Sequence, residues 1–420
     1  MTRLRLVGIA VTAAACLTAT ACTASSDADP QTSAGQTNKA ADPGQLTVWV
    51  MGDSSTNFEE LIAPFVADTG TKVDVVAVPW DSIDQKLTTA VASGDGPDLL
   101  QIGVSKLRNT ADSGALLALD AEVIADYPGL DPANYVGDPI TIGGSTMAVP
   151  WVSDTRVLFY RSDILAENGI DGPPSTWDEL RADAKVLSAR GDNQYGYYIP
   201  QWDSALPMIM TWSFGGDAVN ADGIVDFDTD AFHNAADLYA GLYSDGSVPT
   251  NGDFDQTQGF VSGIAPMLIS GPYLAAAISS AAPELEGSWS VAPVPSANTN
   301  TSLLAGSSMG VWKSTDNQAG ALSLLEFLSL PQTQVTWYAL DGQLPSVAAA
   351  FDDPTLASDP IVAVYSQQLR NSRALPLVPN WDGETGKALL DGLNSIVLTG
   401  ADKDSALSGL YAATEGTSVN

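Results

Sequence analysis

The stretch from Leu46 to Ile102 constrains this chain more than any other, because its apolar residues switch between two periods in a fixed order. Leu46, Val48 and Val50 alternate with Thr47 and Trp49 in strand period, and Phe58, Leu61, Ile62, Phe65 and Val66 follow at helical spacing. Thr56 and Glu59 fit a capping box at the start of that helix, and Gly70 stops it. Lys72 to Val78 reads as a second strand, which leads past Pro79 to a helix opening near Asp81 with Leu87, Ala90 and Val91 inward. The turn Gly94-Asp95-Gly96-Pro97 then delivers a third apolar run, Asp98 to Ile102. A βαβαβ order of this kind predicts a parallel, doubly wound α/β sheet with helices on both faces.

With 420 residues the chain exceeds one ordinary core, so two domains are expected. After Pro150 a second set of elements begins with a strand from Arg156 to Tyr160 and a helix introduced by Pro173-Pro174 and the capping box Thr176 to Glu179. Asp222-Gly223 reads as a hairpin turn. Gln318 to Ser329 and Lys387 to Leu398 read as amphipathic helices, and no short repeat suggests a solenoid.

The N-terminus reads as a targeting segment. Arg3 and Arg5 precede the apolar run Leu6 to Leu17, which is shorter than the ~20 residues a membrane span needs. Ala19, Thr20 and Ala21 before Cys22 resemble the lipobox of bacterial lipoproteins, with Ala19 where leucine is usual; Cys16 after Ala13 to Ala15 would cut the apolar run too short. We therefore expect a signal peptide over 1–21, a lipid anchor on Cys22 and a flexible tether over 22–44, against a plain secretory signal as the competing reading. The 22 residues from 23 to 44 are small and polar, which as a coil gives a reach of about 26 Å. Removing the leader takes the net charge from -33 to -35 and leaves Cys22 as the one cysteine, so packing, not an internal disulfide, must stabilise the fold.

Composition excludes several chemistries. A net charge of -33 with 17 Lys and Arg argues against nucleic-acid binding, which rests on clustered basic residues. One histidine, His233, and one mature cysteine cannot build a zinc cluster. Asn220, Asp222 and Gly223 match part of a calcium loop whose first ligand position is Ala218. Gly306-Ser307-Ser308-Met309-Gly310 satisfies the nucleophile-elbow pattern, but a strand-like Val311-Trp312-Lys313 follows it and the only histidine precedes it, so a serine hydrolase is not expected. Paired carboxylates for glycoside hydrolysis are harder to dismiss among 50 Asp and Glu, and a sugar-cleaving enzyme is the rival from a different class.

The segments LTVWVMGD, DTGTKVDVV, KLTTAVASGDGPDLL, ADSGALLALD, MAVPWVSDTRVLFYRSDIL, PPSTWDEL, GIAPMLISGPY and GVWKSTDNQAGALSLLEFLS occur in an order and spacing that resembles bacterial extracellular solute-binding proteins of the maltose-binding type. The resemblance implies a two-lobed periplasmic-binding-protein fold of type II, each lobe a mostly parallel doubly wound sheet, joined by a hinge with crossings near Pro150, Val294 to Thr301 and Leu344-Pro345. It places 45–150 with about 300–344 in one lobe and 151–299 with 345–420 in the other. It implies a binding protein, not an enzyme, that takes a di- or oligosaccharide in the cleft and passes it to the permease of an ABC importer. A monomer without metal or cofactor, held outside the cell membrane through Cys22, is expected.

Sugars need carboxylates or amides for their hydroxyls and aromatic faces for their CH patches, best presented where strands end. Asp53 after the first strand, Trp80 and Asp81 after the second, and Ser105 after the third are candidates, as are Asp154 past the first crossing and Trp202 with Asp203 in the second lobe. The resemblance puts Tyr273 at a stacking position, with Trp381 and Ser308 as further candidates. Ser54 stands where the family carries a basic residue and Ile102 where it carries an aromatic, which argues against maltose itself. A polyol or glycerophosphodiester is the non-sugar alternative.

Overall fold

Strand β1 (Gln45–Met51), helix α1 (Ser55–Thr69), β2 (Lys72–Val78), α2 (Ile83–Ser93) and β3 (Leu99–Gly103) follow one another in the order read from the sequence, and α3 (Val104–Asp112) continues directly from β3. This computed structural model describes residues 44–80, 82–136, 141–250 and 255–419. The expected leader, Cys22, the tether up to residue 43 and Asp81 lie outside the described residues. Gly70 and Gly94 end α1 and α2 in the left-handed conformation at φ 74° and 73°. The capping box expected at Thr56 and Glu59 does not form: the Phe58 amide already donates to the Ser54 carbonyl at 2.9 Å, so the helix starts earlier and Thr56 lies inside its first turn. The box at Thr176 and Glu179 does form, at the start of the helix Trp177–Ser188.

The remaining strands are β4 (Thr141–Ile142), β5 (Ser145–Thr146), β6 (Val149–Thr155), β7 (Val157–Tyr160), β8 (Met267–Ser270), β9 (Ser290–Ala292), β10 (Ser302–Val311), β11 (Leu344–Pro345) and β12 (Ser372–Arg373). The first sheet has the order β11-β6-β10-β3-β1-β2, with β12 beside β10. Both its faces are covered: Leu46, Val48 and Val50 point into a cluster with Phe58, Leu61 and Trp151, while Trp49 and Met51 point into another with Leu87, Ala90 and Trp312. That is the burial a doubly wound sheet requires of a period-2 strand.

Among the described strands, parallel ladders join β1 to β2 and β3 and the short β12 to β10, with isolated parallel bridges at Thr176–Ser296 and Tyr198–Leu268. In the second sheet β7 lies between β8 and β9 and runs antiparallel to both. The reason is the chain's path. Only Arg156 separates β6 from β7, so the chain enters this sheet already running away from β6, and β8 and β9 bring it back beside Val157 and Leu158. Leu158, Met267 and Ile269 face a core with Trp177, Trp212 and Phe232; Val157, Phe159 and Leu268 face another with Phe260 and Tyr365.

The chain passes from the first sheet to the second at β6–β7 and returns from β9 to β10. β10 pairs with β6 antiparallel from Leu304 opposite Thr155 to Met309 opposite Val149, with a bulge between Ser307 and Ser308, and β11 flanks β6 through Leu344 and Pro345. Gly306 allows this approach. It sits at φ +110°, and a Cβ there would meet the Val152 carbonyl oxygen at 2.0 Å. The glycine of the apparent nucleophile elbow is thus explained by strand packing. Asn220 is likewise committed: its side-chain oxygen accepts from the amides of Asp222 and Ile224, building the expected turn.

Candidate functional site

The ends of β2, β3 and β8, the middle of β6 and β10, and the loops at 202–205, 341–344, 375–377 and 381–382 line one cavity of about 830 Å³. Loops at strand exits are where open α/β sheets place ligands. Trp80, Trp202 and Tyr273 stand on its wall with 50%, 62% and 44% of their surface exposed. No other aromatic side chain among the described residues is exposed to that degree. Burying aromatic surface is strongly favourable, so three uncovered rings around one cavity mark a place where an apolar ligand face is to be covered.

A charged cluster forms the floor. Arg156 Nη1 donates to both oxygens of Asp154 at 2.7 and 2.9 Å. Arg156 Nε lies 3.6 Å from Asp203 Oδ2 and, buried, makes no hydrogen bond. The guanidinium carbon sits 5.7 Å from the Tyr273 ring centre. Asp203 Oδ1 accepts from the Ala205 amide at 2.8 Å, at the start of the helix Ala205–Ser213. Gly271 leaves room for the cluster, because a Cβ there would come within 2.5 Å of Arg156 Nη1 and 2.9 Å of Asp154 Oδ1. Burial pushes the Asp154 carboxyl above its ordinary value, with Arg156 pulling it down and Asp203 adding to the rise. Burial opposes the Arg156 charge, yet Asp154, Asp203 and Tyr273 outweigh it and hold Arg156 firmly protonated.

The structure brings together Trp80, Ser105, Asp154, Trp202, Asp203, Tyr273 and Trp381 on this wall. Trp381 differs from the other tryptophans: it is 1% exposed, and its Nε1 donates to Ser204 Oγ at 3.0 Å, so it is core that reaches the cavity. Asp53, Ser54 and Ser308 are not on the wall. Asp53 is exposed elsewhere on the β1–α1 turn. Ser54 is buried and donates to Asp341 Oδ2 at 3.1 Å, and Asp341, also held by Asn57 at 2.8 Å, is the residue that lines the cavity. Ser308 is buried; across the bulge its neighbour Ser307 faces the cavity and accepts from Gln101 Nε2 at 2.8 Å.

Sequence reasoning missed Arg156, Gln101, Ser307, Asp341 and Asp382. Two of these carried a signal. Gln101 is the one polar residue in the apolar run LLQIG, where its side chain also accepts from the Met51 amide at 2.9 Å. Arg156 is a lone charge between an acid and the apolar VLFY, a position that only a buried partner makes tolerable. His233 is remote from the cavity and bonds the Tyr411 hydroxyl at 2.7 Å.

Residues 51–335 match the family model described as bacterial extracellular solute-binding protein. The chain belongs to that family. Its relatives include a binding protein of Brucella abortus, 27% identical over 381 residues and covering 88% of this chain and 92% of that one. The diacetylchitobiose-binding protein DasA of Streptomyces coelicolor is 32% identical over 182 residues, 42% of each chain. The sugar-binding protein MalE of Xanthomonas citri superposes with a TM-score of 0.83 at 27% identity, over 88% of this chain and 96% of that one. The fold is thus the type II two-lobed arrangement of solute-binding proteins, whose members bind rather than transform their ligands. Among the described residues no helix is long and apolar enough to cross a membrane.

Proposed function

We propose that this protein is the extracytoplasmic substrate-binding component of an ABC sugar importer, taking a di- or oligosaccharide into the cavity and delivering it to the permease without chemical change. The observation that carries the reading is the coincidence of the three exposed aromatic rings with the carboxylates Asp154 and Asp203 in one cavity. Aromatic faces cover the CH surface of a sugar ring, and carboxylates accept from paired hydroxyls. A volume of about 830 Å³ suits more than one sugar ring. The sugars named for the relatives support the same class.

In this reading Trp80, Trp202 and Tyr273 stack on the ligand, while Asp154, Asp203 and Ser105 bond its hydroxyls. The segments 45–150 and about 300–344 move as one lobe and 151–299 with 345–420 as the other, and the ligand favours closure by its differential affinity for the closed state. Cys22 carries the lipid, the tether holds a monomer at the outer face of the membrane, and no cofactor takes part. A thermal-shift panel of mono-, di- and oligosaccharides, amino acids and glycerophosphodiesters tests this, since a bound ligand raises the unfolding midpoint by mass action. A sugar is expected to give the largest rise. Stabilisation by a non-sugar solute alone would refute the sugar reading, and release of new reducing ends from glycosides would refute binding without chemistry.

A further inference from the structure

The charge of the cavity wall is one-sided. Asp154, Asp203, Asp341 and Asp382 line it against a single cation, Arg156, a net charge of minus three when all are ionised. That cation is partly taken, its Nη1 bonded and its Nε without a hydrogen bond. Asp154 occupies its Nη1 and Asp203 faces its Nε, while the Tyr273 ring lies over the guanidinium. Arg108 on α3, which reaches the wall residue Leu377, is engaged by Asp112 at 2.5 Å and by the carbonyls of Leu377 and Val419.

Backbone donors are the other means of holding an anion, and three helices begin at this cavity: α3, Ala205–Ser213 and Tyr273–Ala281. At Ala205–Ser213 a first-turn amide is already taken, while α3 and Tyr273–Ala281 carry no side-chain cap and are only crowded by neighbouring groups. Asp203 Oδ1 takes the Ala205 amide. Asp154 packs against Gly271, just ahead of the helix at Tyr273. The Trp80 ring covers Gly103 at the head of α3, close enough that a Cβ there would stand 3.2 Å from it. An anion approaching Arg156 Nη1 or the Ala205 amide therefore meets a carboxylate of this chain first.

We propose that the cavity selects uncharged and cationic glycosides over anionic ones, and that Asp154 and Asp203 are the selecting residues, by placing their negative charge at Arg156 and at the helix start Ala205 beside it. The proposal rests on the reading of this cavity as the sugar site. A ligand anion entering near the cluster meets like charge at a few ångströms in a partly dry site, which weakens its binding on the order of ten- to a hundredfold against a neutral analogue. An amine-bearing sugar meets the opposite sign and suffers no such loss.

Calorimetry on the full protein with maltose, trehalose, cellobiose and N,N′-diacetylchitobiose as neutral probes, chitobiose as the cationic probe, and digalacturonate, trehalose phosphate and glycerol phosphate as anionic probes tests this. Neutral or cationic probes are expected to bind and anionic ones to bind at least about tenfold more weakly. Asp203→Asn should raise the anion-to-neutral affinity ratio by about tenfold, and added salt should shrink the wild-type discrimination. Asp382→Asn, at an exposed position on the wall, breaks no hydrogen bond or ion pair and keeps the test open if the Asp203 variant does not fold; it should raise the ratio by a few fold. Wild-type protein that binds digalacturonate as tightly as its best neutral sugar would overturn the proposal and leave the sugar reading intact. Tight glycerol phosphate with no sugar bound would sink both. A ratio unmoved in both variants would remove these carboxylates from the selection.

Discussion

Trp202 and Trp381 line the same cavity, and replacing each by alanine should separate binding from folding. Trp202 is 62% exposed, so Trp202→Ala removes a side chain that folding has not buried, and its effect on stability should stay within about 0.5 kcal/mol. In the proposed sugar complex one face of that indole is covered. With roughly 100 Å² of apolar surface leaving water at about 25 cal/mol per Å², the loss is about 2.5 kcal/mol, which corresponds to a Kd weaker by roughly fifty- to a hundredfold. Trp381 reverses the pattern. It is 1% exposed within the core that holds Trp212, Phe232 and Leu389, and its Nε1 is bonded to Ser204. Trp381→Ala should cost about 3–5 kcal/mol of stability. Calorimetric affinity for the best sugar of the panel, measured beside the unfolding midpoint of each variant, distinguishes the two. The reasoning is refuted if Trp202→Ala binds within about threefold of wild type, or if it unfolds as early as Trp381→Ala.

Gly306→Ala should lower stability by at least about 2 kcal/mol, because it combines a φ of +110° with a Cβ placed 2.0 Å from the Val152 oxygen; a wild-type unfolding midpoint would argue against the β6–β10 register. Affinity for a neutral sugar should fall in acid as Asp154 gains a proton, over a range lying above that of an ordinary aspartate with its value of 3.8, and calorimetry across that range should find the decline absent in Asp154→Asn. Since the folded value is raised, the contribution of Asp154 to folding is fully present below the unfolded value and is lost as pH rises through the folded one, so stability and affinity move in opposite directions there. Cys22→Ala should move the protein from the membrane fraction to the medium with ligand affinity unchanged, as fractionation and calorimetry would show.

The elements that were legible in the sequence are those set by local rules. Leu46, Val48 and Val50 announce a strand because alternate residues must be apolar to meet a core, and Gly70 and Gly94 announce helix ends because a left-handed cap favours glycine. The Thr176–Glu179 box reads correctly for the same reason. Its counterpart at Thr56 fails where a non-local demand intervenes. Ser54, whose carbonyl opens α1, has its hydroxyl committed to Asp341 on a distant segment, and neither that pairing nor the helix's first turn is written in the residues around Thr56.

The site divides along the same line. Trp80, Ser105 and Tyr273 follow strand ends, and a strand end is a local event that the chain states directly. Ser307 and Ser308 are not separable that way. One residue of register turns a strand's side chain to the opposite face, and the bulge that decides between them arises where β10 meets β6, about 150 residues earlier in the chain. Arg156 shows the more general limit. Its charge is tolerable only because Asp154 and Asp203 converge on it, one from β6 and the other from the loop ahead of the helix Ala205–Ser213, and because Gly271 yields the space. A lone arginine beside an apolar run therefore states that partners exist without saying where they lie. The selectivity of the cavity depends on how those partners are spent, which is fixed only when both sheets have formed.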